Sequence, residues 1–167
     1  MTTYQKINGY NFIIVNELDD DIAPWGYCDN EADLITDWTR RDKKPGEMVL
    51  CKDHGHSRFF DYQKACKFAL KEQWGSRDSL PTDTKKQIAS KAALNLFNYW
   101  RSWFYDEWTY RYVEITLINP DTNQETDFIE SCGGIEDLND YDQDWIKENA
   151  AVLIESFKNQ QLHSWEI

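Results

Sequence analysis

The chain is 167 residues long, with 30 acidic against 18 basic side chains and a formal charge of −12. Aromatic residues make up 15% of it, too many for a disordered acidic tail, which lacks the side chains that offset ordering entropy. Seven glycines and four prolines exclude collagen-like and linker classes, and the length suits one domain, residues 1–167, with a real core.

In chain order, Tyr10–Leu18 is β-branched and aromatic and stops at an Asp triplet, so it reads as an N-terminal strand. Residues 19–44 lack clean periodicity and read as a long acidic loop, with room for a short helix near Glu31–Trp38. Glu47–Lys52 and Ser57–Tyr62 form a hairpin across Asp53-His54-Gly55-His56, where the glycine supplies a positive φ. Asp61 caps a helix from Tyr62 to about Trp74, with Gly75 as its stop. The longest predicted helix runs from Ser79-Leu80-Pro81-Thr82 to about Asp106. Ala89, Ala93, Leu96, Trp100 and Trp103 form its buried stripe.

Thr109–Ile118 is the strongest strand signal. Asn119 to Asn123 turns it into a partner, Glu125–Cys132, which Gly133-Gly134 should break. Asn139 or Asp140 caps a last helix whose core stripe is Ile146, Ala150, Leu153 and Phe157, and a loosely held tail follows at 162–167. The expected class is therefore α+β, an antiparallel sheet of about five strands (two hairpins plus the N-terminal strand) packed on three helices.

No stretch approaches the ~18 apolar residues needed to span a bilayer. The N-terminal MTTYQKINGY lacks the hydrophobic core of a signal peptide. These features point to the cytoplasm, to no membrane contact, and to free thiols at Cys28, Cys51, Cys66 and Cys132.

Charge is strongly partitioned. Residues 17–37 carry eight acids and no base, and residues 121–148 carry ten acids against Lys147 alone. Between them, residues 38–101 hold fourteen bases and seven acids. The two acidic segments are candidates for one concentrated negative face that meets a cationic partner. The net charge also opposes binding to bare duplex DNA.

Chemistry-bearing patterns are weak. Cys51, His54, His56 and Cys66 are all zinc-ligating types, but C-x2-H-x-H-x9-C matches no standard zinc spacing. The carboxylate pairs Glu136-Asp137 and Asp106-Glu107 carry nothing that sets their two pKa values apart. No nucleophile elbow, metalloprotease, nucleotide-loop or deaminase pattern occurs, so no catalytic residue, metal or cofactor is expected. The interleaved aromatics Tyr99, Trp100, Trp103, Phe104, Tyr105 and Trp108 suit a core better than a nucleic-acid platform.

Three pieces carry a resemblance: Trp38-Thr39-Arg40-Arg41-Asp42-Lys43-Lys44-Pro45-Gly46-Glu47, Ser57-Arg58-Phe59-Phe60-Asp61-Tyr62-Gln63-Lys64-Ala65, and Asp106 to Val113 leading to Gly133-Gly134-Ile135-Glu136-Asp137. In this order, over most of residues 10–157, the chain resembles small acidic proteins of tailed bacteriophages and prophages. The resemblance brings no catalytic residue with it. It implies an infected bacterial cell and an inhibitor of host machinery, with carboxylates taking the place of DNA phosphates on a basic groove of a host protein or nucleoprotein complex. The side chains expected to make that contact are Asp19, Asp20, Asp21 and Asp33, then Glu136, Asp137, Asp140, Asp142 and Asp144, with Trp25 as the apolar anchor. The competing expectation is an accessory domain that binds nucleic acid or a small ligand through its basic helices and aromatic cluster.

Overall fold

The computed structural model describes residues 1–26, 29–76 and 79–163. In chain order its elements are β1 (Thr2–Ile7), β2 (Tyr10–Leu18), α1 (Asp29–Ala32), β3 (Glu47–Asp53), β4 (His56–Asp61), α2 (Tyr62–Glu72), α3 (Lys85–Phe104), β5 (Tyr110–Ile118), β6 (Glu125–Glu136) and α4 (Tyr141–His163). The class is α+β. The chain divides into two compact units: residues 1–22 with 108–167, and residues 23–107. The second unit is an insertion, since the chain leaves after β2 and returns at β5, which is β2's neighbour in the sheet. Among the described residues no helix is long and apolar enough to cross a membrane.

The first unit is an antiparallel sheet in the order β1-β2-β5-β6. β1 escapes the sequence reading because its burial is one-sided and slight, with only Ile7 buried among polar neighbours. Its turn is nonetheless legible: Asn8 and Gly9 both take positive φ, 49° and 88°, the geometry of a two-residue hairpin. Period-two alternation sends Phe12 and Ile14 of β2 and Val113, Ile115 and Leu117 of β5 to one face. Ile146, Ala150, Leu153, Ile154 and Phe157 of α4 complete that core. This is the stripe the final helix is expected to bury.

β6 does not stop at Gly133-Gly134. It runs on to Glu136, and a register shift between Arg111 and Val113 of β5 absorbs the pair, with Gly134 at φ +68°. A bulge, not a break, is what the two glycines encode. After it, Asn139 and Asp140 both lie in the left-handed region, at φ +55° and +59°, which an N-cap residue does not adopt. The expected cap is therefore replaced by a tight turn at Leu138–Asp140, and α4 opens at Tyr141. α4 runs to His163, past the start of the expected tail, and residues 164–167 lie outside the described residues.

The second unit pairs the β3–β4 hairpin with α2 and α3. Asp61 caps α2 by accepting from the Lys64 amide at 2.8 Å. The helix ends at Glu72, ahead of Gly75, because Gln73 takes the left-handed C-cap position. α3 starts at Lys85 behind a full capping box formed by Thr84 and Gln87, later than its expected start. Its buried residues are Ala89, Ala93, Phe97 and Trp100, the last three packing with Leu34, Leu50, Phe60 and Ala65.

The expected acidic loop is a structured strap over much of its length. α1 is a single turn, and the chain after it runs beside β4 through bridges Ile35–Phe60 and Thr39–Ser57. Leu34, 1% exposed, is the strap's contribution to the core. Further on, Arg41 grips Glu47 in a two-pronged pair, Nη1–Oε2 at 2.8 Å and Nη2–Oε1 at 2.6 Å. That hydrogen-bonded guanidinium holds the Glu47 carboxyl below its ordinary value of 4.5. A depressed folded-state pKa contributes stability that is present above the unfolded value and lost as pH falls through the folded one. Glu47→Gln should therefore unfold at lower urea than wild type at pH 7, and the gap between their midpoints should shrink at pH 3.

Candidate interaction surface

The two units divide the charge. Residues 1–22 and 108–167 hold seventeen acids against four bases, a net of −13, while residues 23–107 hold thirteen acids against fourteen bases, a net of +1. The first unit alone carries the acidity of the whole protein. A face of that density repels itself and costs folded-state stability, well beyond the net charge of about 2–8 that keeps small domains soluble.

At one end of its sheet three chain segments lie side by side. The Asp19 amide donates to the Tyr110 carbonyl at 2.9 Å, Tyr110 pairs with Glu136, and the Asp137 amide donates to the Thr109 carbonyl at 3.1 Å. The start of the first acidic segment, residues 19–22, thus sits against the stretch that leads from β6 into α4. The rest of that segment, from Ala23 onward, belongs to the other unit.

The expected contact residues separate into two kinds. Asp19, Asp137 and Asp142 are spent internally. Asp19 Oδ2 accepts from the Gly134 amide at 2.9 Å. Asp137 accepts twice from Thr109, from the amide at 2.7 Å and from the hydroxyl at 2.8 Å. Asp142, 8% exposed, accepts from Asn16 Nδ2 at 2.9 Å, and Asn16 in turn accepts from Arg111 Nε at 2.8 Å. Glu136 is half-buried. Asp20, Asp21, Asp140 and Asp144 are exposed, Asp144 standing 3.6 Å from Lys147. Glu125, Asp127 and Glu130 on β6 are exposed acids that the sequence counts only as part of a charged run.

Asp33 and Trp25 lie in the second unit. Asp33 is exposed and pairs with Lys64 at 3.4 Å. Trp25 is half-buried and belongs to the aromatic core, stacked on Phe104 at 5.2 Å, edge-on to Trp103 at 5.2 Å and to Trp100 at 6.0 Å. The Arg58 guanidinium lies 5.2 Å from its ring centre. A ring so enclosed cannot serve as an exposed anchor. The same packing places the aromatic run of α3 largely in the core, with Tyr105 the ring most open to solvent.

Open apolar surface in the acidic unit lies elsewhere. Register aligns Tyr4, Ile13, Thr116 and Ile129 in one row across all four strands, on the face opposite the buried row. Tyr4 is 76% exposed and Ile129 49%. Glu114 and Ser131 form part of the next row on that face.

Cys51 is buried in β3, and burial pushes its thiol up to about 11, far from a reactive thiolate. His54 stands exposed at the hairpin tip, and His56 accepts from Arg40 Nε at 3.0 Å. Among the described residues no three His, Cys, Asp or Glu side chains are grouped to hold a metal.

No family model, no curated protein and no solved structure matches the chain. The chemistry of the surface must speak from its own residues.

Gly133 is where β6 comes closest to Asp19. A Cβ there would meet Asp19 Oδ2 at 2.8 Å, so even alanine must push the carboxylate away from the Gly134 amide. Gly133→Ala is expected to cost up to about 1 kcal/mol, the net worth of the one part-buried hydrogen bond it displaces, because the clashing carboxylate is the movable end of the Asp19 side chain. Denaturant midpoints check this. In an Asp19→Ala background the same change should cost much less, because the clash partner has gone.

Proposed function

We propose that this protein is a phage-encoded, non-enzymatic interaction protein whose acidic unit docks on a basic groove of a host protein or nucleoprotein complex. Inhibition of a defence system, of the anti-CRISPR or antirestriction type, is the role this reading favours. The observation that carries it is the division of charge, −13 on one compact unit and +1 on the other. Solubility alone calls for neither the magnitude nor the segregation. Asp20, Asp21, Asp140 and Asp144 supply the charged contacts, joined by Glu125, Asp127 and Glu130 of β6. Tyr4 and Ile129, and not Trp25, supply the apolar contact, since interfaces draw their strength from rings buried amid polar rims.

The test is capture from bacterial host lysate by wild type and by the quadruple variant Asp20→Asn, Asp21→Asn, Asp140→Asn, Asp144→Asn. A partner retained by wild type, released by salt and absent with the variant supports the reading. Equal capture by both overturns it. A gel shift of bare duplex DNA at low micromolar protein would transfer the reading to the basic helices of the second unit.

A further inference from the structure

One carboxylate of the second unit stands apart from its neighbours. Of the acids around α1, Asp33 pairs with Lys64 and Asp37 approaches Arg58 at 3.8 Å. Glu31 is half-buried, and among the described residues its carboxylate has no hydrogen-bond or ion-pair partner. Burial alone acts on it, and raises its pKa above the ordinary 4.5. An acid left in that state costs stability at neutral pH, and it is the kind of group that a bound cation relieves.

Glu31 lines an open cleft of about 470 Å³. The other walls are Trp74 and Gly75, which follow α2, and Ala92, Asn95, Leu96 and Tyr99 of α3. The α3 residues recur at intervals of three, one and three, so one helical face forms a whole wall. Among the described residues, no lysine, arginine or histidine lines the cleft. The described lining combines one acid with two aromatic side chains, the aliphatic Ala92 and Leu96, and one neutral polar group, Asn95. That is the complement of a cationic head on an apolar stem.

We propose that this cleft binds an organic cation with a short apolar stem, the chemistry of a lysine or arginine side chain, with Glu31 meeting the charge and Trp74, Leu96 and Tyr99 the stem. The site is separate from the acidic unit and stands or falls independently of the docking reading above. A single carboxylate offers too few oxygens for a hard metal cation, which takes six or more.

The experiment is a titration of the ¹⁵N-labelled full chain with n-butylammonium chloride, read at the Trp74 indole N–H signal, which a Trp74→Phe variant assigns. Saturable shifts with a dissociation constant on the order of 1–10 mM are expected for so small a ligand. n-Butanol and sodium chloride at matched concentrations should leave the signal in place. Glu31→Gln, which keeps the shape, should weaken binding about tenfold or more. Asn95→Lys, an exposed position on the same wall, should block the cleft with a tethered cation and abolish the shift. N-acetyl-lysine amide distinguishes the source: binding at least as tight as n-butylammonium indicates a polypeptide side chain, and weaker binding indicates a free amine. Equal response to n-butanol, unchanged affinity in Glu31→Gln with intact Asn95→Lys binding, or no shift of the Trp74 signal overturns the site.

Discussion

Trp100→Ala is expected to unfold the inserted unit, residues 23–107, while leaving the acidic unit folded. Trp100 is the largest fully buried side chain among the described residues, with Phe60 edge-on at 5.4 Å and Trp25 edge-on at 6.0 Å. Truncating a buried tryptophan costs about 3–5 kcal/mol, comparable to the whole stability of a small unit. Its indole nitrogen is buried with no hydrogen-bond partner among the described residues, so the cost of truncation is lost packing and includes no broken hydrogen bond. Trp100→Phe therefore costs much less, since it removes volume together with an unsatisfied donor. Thermal melts of Trp100→Ala should show one early loss of helix and one late transition near the wild-type temperature. Methyl signals of Ile115 and Leu117, in the other core, should stay dispersed after the first. A single transition for the whole chain would mean that the two cores melt as one cooperative domain.

The elements were legible where local chemistry decides them. Asp61 as a cap, the His54-Gly55 turn and the stripe from Ile146 to Phe157 each follow from residue type and spacing alone. Elements failed where a long-range partner decides. β1 buries only Ile7, so its strand identity comes from pairing with β2, and only Asn8-Gly9 announces it. Gly133-Gly134 signals irregularity, but whether a strand ends or bulges depends on β5 opposite. The strap over residues 33–39 has no period because it pairs with β4 on one side through isolated bridges.

The candidate surface was legible as charge and not as geometry. Asp19, Asp20 and Asp21 are identical in composition, yet Asp19 is tied to the Gly134 amide and its two neighbours are exposed. Nothing at positions 19–21 distinguishes them; the distinction is made 115 residues away. Trp25 beside Pro24 resembles an exposed loop anchor until α3 supplies Trp100, Trp103 and Phe104 to enclose it. The acidic segment 17–37 is continuous in sequence but belongs to two folding units, so sequence runs overstate what one face can present.

Neutralising the two kinds of aspartate should give opposite results for nearly the same change in charge. In the internal set, Asp19→Asn, Asp137→Asn and Asp142→Asn each replace a charged acceptor by a neutral one, and each should destabilise the acidic unit by about 1 kcal/mol. Asp137 should cost the most. Its two oxygens accept from two Thr109 donors, and an amide offers only one acceptor. In the exposed set, Asp20→Asn, Asp21→Asn, Asp140→Asn and Asp144→Asn break no side-chain bond among the described residues except the surface pair of Asp144 to Lys147, which is worth little. Asparagine also tolerates the left-handed backbone at position 140. Relief of self-repulsion should leave that variant as stable as wild type or slightly more so. Its defect should appear instead in association with a cationic partner, as a lower on-rate and a shallower dependence on salt. Urea midpoints and stopped-flow association on both variants separate the two roles. An exposed-set variant that loses stability, or an internal-set variant that keeps it, would mean that these aspartates divide differently between fold and surface.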